Sequence, residues 1–291
     1  TLAALQGRTI SANGLVTEQP EFARLDLADW SRFVIGGHEI RKTSSTVEAR
    51  NLFIDSTTVT AGGLAALSPT LTDWDRNIRT GTVLNSGPAI GGRASTATLK
   101  TRGERPKVAL QRIAIDWQEF QRAADASHLI VVNVASVEPP VLIGERLSSR
   151  QLLESLESSD RSPVSTSALY AAAALRAGYS YLNWTPATGP SLGALGELAL
   201  ERRALHMGRE GRDDLASIGL LPANEGDDRL RSAMALLDVA RLCERERRRA
   251  ASGLMNFLRC FFRQPMGEGP DDVASQRSLL YDWVRQVSSA S

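Results

Sequence analysis

Lysine is almost missing from this chain. Of 34 basic residues only Lys42, Lys100 and Lys107 are lysine, and none follows Lys107. Arginine stays protonated, with a pKa above ~12, whereas a lysine can be tuned by burial and neighbouring charge to give up a proton and retake it. The second half therefore holds no lysine to serve as a proton shuttle. Strong charge of either sign is also missing: the net charge is +1, which removes bulk attraction to nucleic acid or to an anionic membrane. No apolar run reaches the ~20 residues of a membrane span, and the opening TLAALQGRTI lacks the basic-then-apolar layout of a signal peptide. Cysteine is scarce. Cys243 and Cys260 lie in helix-like apolar surroundings without metal-ligand spacing, so they read as two reduced, buried thiols, and no metal site is expected. Together these absences lead us to expect a cytoplasmic protein that binds neither nucleic acid nor membrane.

What is present is the material of a packed core. Over 291 residues 42% are hydrophobic and 23% charged, enough for one large domain or two ordinary ones. Short apolar runs read as strands: RFVIGG (32–37), LFID (52–55), GTVLNSG (81–87), HLIVVNVAS (128–136), YSYLNWTP (179–186) and ALHM ahead of the GREGR loop. Between them lie amphipathic helices at 108–125, 149–158, 168–178 and 191–204. This alternation predicts an α/β fold, a parallel sheet with helices on both faces. From Arg229 onward one long helix is expected, then a final helix over 271–289, both returning to the core. Between them GLMNFLRCFF (253–262) reads either as a buried strand or as an apolar surface for a partner.

Several residues invite a chemical reading and a plainer one. His38, after two glycines, could face a cofactor or be a packed loop histidine. His128 opens a strand and reads as structural, while His206 sits just before the GREGR loop. Trp184 lies at a strand end, where open α/β sheets bind ligands. SGPAIGGR (86–93) could cradle phosphate through backbone N–H groups or be a plain connection. Asp55, after LFID, is better suited to a helix cap than to a phosphate loop. A dinucleotide fold needs a strand, a glycine-rich turn and a helix. Here TLAALQGR followed by SANGLVTE has the spacing of the first helix and second strand, so the first strand and its turn are expected to be absent.

Six segments together resemble the myo-inositol-phosphate synthase family, in the family's order. FVIGGHEI (33–40) resembles its GGHDI segment, and VVNVASVEPP (131–140) its VVN-ASTEP strand end. PVSTSALYAAAALRAGYSYLNWTP (163–186) is similar to its helix-strand-loop ending in Asn and Thr-Pro, and HMGREG (206–211) to its AGKDG. DRLRSAMALLDVARL (228–242) resembles DSILAAPLVLDLVRL, and CFFRQPMG (260–267) resembles FFFKDPxG. The resemblance implies a Rossmann domain with an inserted α/β domain that builds the active site and the subunit interface. It implies NAD and an isomerisation: glucose 6-phosphate is oxidised, enolised, closed by intramolecular aldol attack and reduced again. It places Gly37, His38, Glu39, Ala135, Ser136, Asn183 and Asp228 near the dinucleotide, with Glu39 in place of the family's Asp and Val137 in place of a Thr.

The departures bear on function. Two of the family's catalytic lysines correspond to Arg212 and Arg263, which can bind an oxyanion but not shuttle protons. Residues 213–227 form a short connection where the family carries its inserted domain. The expected organisation is a Rossmann-like core over 1–212, that connection, and a C-terminal helical part over 228–291 packing back on the core. Two functions follow as expectations. One is an NAD-dependent enzyme on a hexose phosphate, if an inserted domain exists in the native protein. The other is a degenerate member that binds a phosphorylated ligand, or self-associates or joins a larger complex through residues 213–227 and 253–262.

Overall fold

The computed structural model describes residues 1–8, 10–55, 61–85, 87, 90, 92–95, 103–135, 138–139, 147–158, 164–221 and 228–289. Its helices are α1 (Leu2–Gln6), α2 (Ser45–Asp55), α3 (Ala61–Asp75), α4 (Pro106–Ala123), α5 (Ser149–Ser158), α6 (Thr166–Arg176), α7 (Gly193–Glu201), α8 (Asp228–Arg248) and α9 (Val273–Ser289). Its strands are β1 (Gly37–Glu39), β2 (Ile78–Thr80), β3 (Ile130–Asn133), β4 (Ser180–Asn183), β5 (Leu205–Met207) and β6 (Gly253–Leu254). Pro106 starts α4 at a position whose N–H would have no helical partner anyway. The Ser165 hydroxyl accepts from the Ala168 N–H to cap α6, and Gly178, at φ +76°, turns the chain from α6 into β4.

All pairing between named strands is parallel. One sheet has the order β3-β4-β5-β6, and a smaller one pairs β1 with β2. The period-two rule sorts the larger sheet's side chains to two faces. Tyr181 joins a core made by α4, α5, α6 and α7, whereas Leu182, Leu205 and Met207 join a second core made by α8, α9 and the segment at 255–262. The helices on both faces are those the strand–helix alternation predicts. Burying one such leucine side chain contributes about 1.5–3 kcal/mol. The amino-terminal segment is tied to α8 by a buried carboxylate. Asp238 accepts from the N–H groups of Val16 and Thr17 (2.8 and 2.9 Å) and from the Thr17 hydroxyl (2.6 Å).

Five local expectations fail in whole or in part. LFID lies in the last turn of α2; at four residues, its apolar run is too short to separate strand from helix. The strand expected in GTVLNSG lies just upstream, at β2, and RFVIGG reaches strand geometry only from Gly37. SANGLVTE folds into two 3-10 turns, because Ser11 caps the first and the Val16 and Thr17 N–H groups are claimed by Asp238. GLMNFLRCFF is strand only at β6 and continues as a 3-10 helix over Asn256–Phe261. Met255, Leu258, Cys260, Phe261 and Phe262 are buried in the chain's own core, and Phe257 stacks on Trp283 at 3.9 Å between centroids. That run is thus mostly interior, as the buried one of its two readings had it, although only its start is strand. Residues 222–227 of the connection lie outside the described residues, as does half of the phosphate-loop candidate SGPAIGGR.

Candidate functional site

Two places at the sheets hold the candidate residues. The first is a cleft of about 480 Å³ between β1 and β3, lined by residues 36–41 on one side and 129–135 on the other. Gly37, His38, Glu39 and Ala135 all line it. His38 is a packed residue there. Its Nε2 lies 2.9 Å from an Asp116 carboxylate oxygen, and its ring meets Tyr170 and Trp117 at 5.4 and 6.1 Å. Burial lowers its pKa, against the pull of Asp116. Arg112 extends the network, donating to Glu104 at 3.1 Å through two nitrogens and to the Thr80 carbonyl at 2.9 Å.

Glu39 is less available than the resemblance implies. Its Oε1 accepts from the N–H groups of Ile40 and Arg41 (both 2.9 Å) and from Arg41 Nε (3.1 Å), while Oε2 accepts from Arg41 Nη2 (2.8 Å). Oε1 already accepts three bonds and Oε2 one, so a ribose hydroxyl has to share Oε2 with Arg41 or displace it. Burial alone would raise the Glu39 pKa, but Arg41 and the backbone donors outweigh it and hold it below the usual range.

The second place is the mouth at the carboxyl ends of β4 and β5. Asn183 is fully buried and serves the scaffold. Its carbonyl oxygen accepts from Asn133, from the Thr185 N–H and from the Thr185 hydroxyl, and its amide donates to Ala187 O at 2.8 Å. The GREGR loop lies against the FFR segment as a short antiparallel ribbon. The Arg212 N–H donates to Phe261 O (2.9 Å) and the Arg263 N–H to Glu210 O (2.7 Å), on either side of a Gly211–Phe262 bridge. Glycine is required at 211, since a Cβ there would stand 2.0 Å from the Trp184 ring. The Trp184 indole donates to Ser232 at 2.9 Å and meets Phe262 edge-on at 5.2 Å.

Within this mouth both candidate arginines are paired with carboxylates. Arg212 Nη1 lies 3.2 Å from Asp214, and Arg263 pairs with Asp213 and stands 3.6 Å from Asp214. Asp228 lines a second hollow of about 350 Å³ with Trp184 and Ser232, and it pairs with Arg231. Ser136 and Val137 lie outside the described residues. Among the described residues, no group of three His, Cys, Asp or Glu could hold a metal, and no helix is long and apolar enough to cross a membrane. The six dinucleotide candidates among the described residues therefore divide. Four share the cleft, Asn183 braces the loop behind it, and Asp228 faces the second hollow. Sequence reading missed Asp116, although it interrupts the apolar face of Ile113, Trp117 and Phe120. It also missed Asp213 and Asp214, although they directly follow Arg212.

The family model described as myo-inositol-1-phosphate synthase matches residues 11–285. Among curated proteins no sequence matches. Among solved structures, the inositol-3-phosphate synthase of Caenorhabditis elegans superposes with a TM-score of 0.75 at 15% identity, over 96% of this chain and 78% of that one. A myo-inositol-1-phosphate synthase-related protein of Thermotoga maritima does so with a TM-score of 0.63 at 14% identity, over 98% of this chain and 94% of that one. At these identities the two structures speak to the fold.

Proposed function

The chain belongs to the myo-inositol-1-phosphate synthase family, and we propose that it is a catalytically silent member that binds a dinucleotide on the family's scaffold. The observation that carries this reading is the pair of mouth arginines, Arg212 and Arg263, held by Asp214 and Asp213. Arginine cannot alternate between acid and base near neutral pH, so neither side chain can carry the proton transfers of an enolisation. The carboxylates also cancel much of the positive charge that would draw a sugar phosphate.

Gly37, His38, Glu39 and Ala135 fit one end of NAD, because they line a single cleft of ligand size that runs along β1 and β3 and past their carboxyl ends. When bound, NAD would supply hydride acceptance and return. Glu39 would hold a ribose hydroxyl once Arg41 swings aside, and the His38–Asp116 pair would keep the wall of the cleft in place. In the division we propose, residues 1–212 form the binding core, 213–227 connect, and 228–291 close the second face.

Calorimetric titration with NAD, paired with an assay for inositol phosphate from glucose 6-phosphate and NAD, tests this. The expected result is measurable NAD binding without product. Turnover by the purified chain overturns the silent reading, and the absence of any NAD binding overturns the dinucleotide one.

A further inference from the structure

Which dinucleotide suits the cleft turns on the charges at its rim. β1 ends on Glu39, and Arg41 follows two residues later; both line the cleft. In a doubly wound sheet a carboxylate near a strand end accepts from a ribose hydroxyl, and an arginine nearby accommodates a phosphate carried on that hydroxyl. This chain has one of each, and their geometries differ. Glu39 is curled back on its own loop. Its Oε1 accepts from the N–H groups of the next two residues, Ile40 and Arg41, at 2.9 Å each, and both oxygens accept from the Arg41 guanidinium. The group that would repel a phosphate is thus turned toward its own loop and largely neutralised.

Arg41 is the more exposed partner, at 43% against 27% for Glu39. It bridges Glu39 (2.8 Å) and Glu48 (3.0 Å), pairs that water screens and that an incoming anion can displace. A guanidinium matches a phosphate through two parallel N–H bonds, which a hydroxyl cannot offer in exchange. More positive charge stands beside it. Lys42 is exposed next in sequence, and residues 40–47 include no acid. Arg79, opposite His38 in β2, and Arg93 also line the cleft, and neither has a carboxylate partner among the described residues. The Ser95 N–H donates to the Ile40 carbonyl (2.7 Å), which sets the Arg93 segment beside the Glu39–Arg41 loop. The other carboxylates of the lining are engaged elsewhere, Asp116 with His38 and Arg112 and Glu138 with the Ser167 N–H.

We propose, resting on the dinucleotide reading above, that the cleft prefers a dinucleotide with a phosphate on its ribose 2′-hydroxyl, NADP over NAD, and that Arg41 is the residue that recognises this phosphate. A plain ribose hydroxyl meets Arg41 as a competitor for Glu39. A 2′-phosphate takes Arg41 as its ligand, and Glu39 then keeps its two backbone donors. Arg41, Lys42, Arg79 and Arg93 outnumber Glu39 and Glu48, so the rim attracts the added negative charge of the phosphate rather than repelling it. Arg79 and Arg93 act through charge, Arg41 through bidentate bonds, which makes Arg41 the specificity-determining position.

Calorimetric titration of the full chain with NAD and with NADP tests this, on the wild type and on Arg41→Met and Glu39→Gln, with melting temperatures to confirm that each variant is folded. The wild type should bind NADP about tenfold more tightly than NAD, the equivalent of one charge-assisted contact. Arg41→Met should weaken NADP about tenfold and leave NAD no weaker, so that the preference disappears. Glu39→Gln should leave NADP as tight or tighter, because it removes a negative charge and releases Arg41. A wild type that binds NAD as tightly as NADP, or more so, overturns the 2′-phosphate preference and keeps the dinucleotide reading. A preference that survives Arg41→Met, or a variant that loses both ligands alike, overturns the role of Arg41. Binding of neither dinucleotide overturns the reading and the preference together.

Discussion

The two sheets of this protein are held by different forces. β4 and β5 are buried along their whole length, between helices on both faces. β1 and β2 are partly exposed, and Val34 and Ile35 just before β1 stand 47% and 41% exposed. A two-stranded sheet is marginal by itself. This one is braced by polar contacts: His38 to Asp116, Arg112 to Glu104 and to the Thr80 carbonyl. The larger sheet draws its stability from apolar burial, the smaller one from a hydrogen-bonded network beside an open cleft. Rigidity should follow the first and ligand response the second, since parts that open or move come from the less stable end of a structure.

The sharpest way to break that contrast is to truncate one side chain in each half. Phe261 is fully buried in the second core. Phe261→Ala should cost about 3–5 kcal/mol in urea unfolding, through lost burial and the cavity left behind. Val34→Ala, at an exposed position of the smaller half, should stay within about 0.5 kcal/mol. Equal costs would mean that the halves do not differ as described.

Acid should act on the buried half. His206 in β5 is wholly buried, and neither ring nitrogen makes a hydrogen bond of good geometry, although the nearby Pro190 backbone slightly favours the protonated ring. Burial lowers its pKa to about 4, and burial likewise lowers His128 to about 4. An unfolded histidine takes its proton near 6.5, so below that the unfolded state binds more protons than the folded one. The histidine contribution is therefore intact above pH 6.5 and is lost as pH falls toward 4. Asp238, which burial raises to about 6, works the other way, because its folded form binds a proton before the unfolded carboxyl does. In thermal melts between pH 7 and 5, His206→Leu should lose less stability on acidification than the wild type does. An unchanged slope would show that His206 is not part of the acid response.

Much of the larger sheet was legible in the sequence, because strands packed between helices are continuous apolar runs. HLIVVN and YSYLN fall on β3 and β4, and Leu152, Leu156, Ile113 and Trp117 are core residues at helical spacing. The smaller half was not legible in this way. LFID is as apolar as a strand yet ends a helix, and SANGLVTE was diverted from strand geometry by Asp238, more than 200 positions away in sequence. Local periodicity carries no trace of such a partner. At the site, Gly37, His38, Glu39 and Ala135 of the cleft were named from sequence, but their engagement was not. That Glu39 is engaged by Arg41, and Arg212 by Asp214, depends on rotamers set by the fold.

The mouth provides a smaller effect. If Asp213 and Asp214 occupy a place that an anion could take, Asp213→Asn with Asp214→Asn should let inorganic pyrophosphate bind several-fold tighter than it binds the wild type, as read by calorimetry. Arg212→Gln added to that pair should remove the gain. Pyrophosphate binding that is indifferent to both changes would assign the two carboxylates to loop structure alone.

The smallest effect belongs to the cleft and tests whether its polar wall is adjustable. Arg41 is 43% exposed and Glu39 27%, so their ion pair is screened and worth about 0.2–1 kcal/mol. Removing the guanidinium frees Oε2 completely and leaves Oε1 with two backbone donors. Arg41→Met should then tighten NAD by up to about fivefold, the equivalent of that pair energy, with the melting temperature nearly unchanged. Glu39→Gln in the same background should abolish the gain, because an amide cannot match a carboxylate as the ribose acceptor. If Arg41→Met weakens NAD instead, the guanidinium is a ligand of the dinucleotide rather than its competitor, and Glu39 serves to aim it.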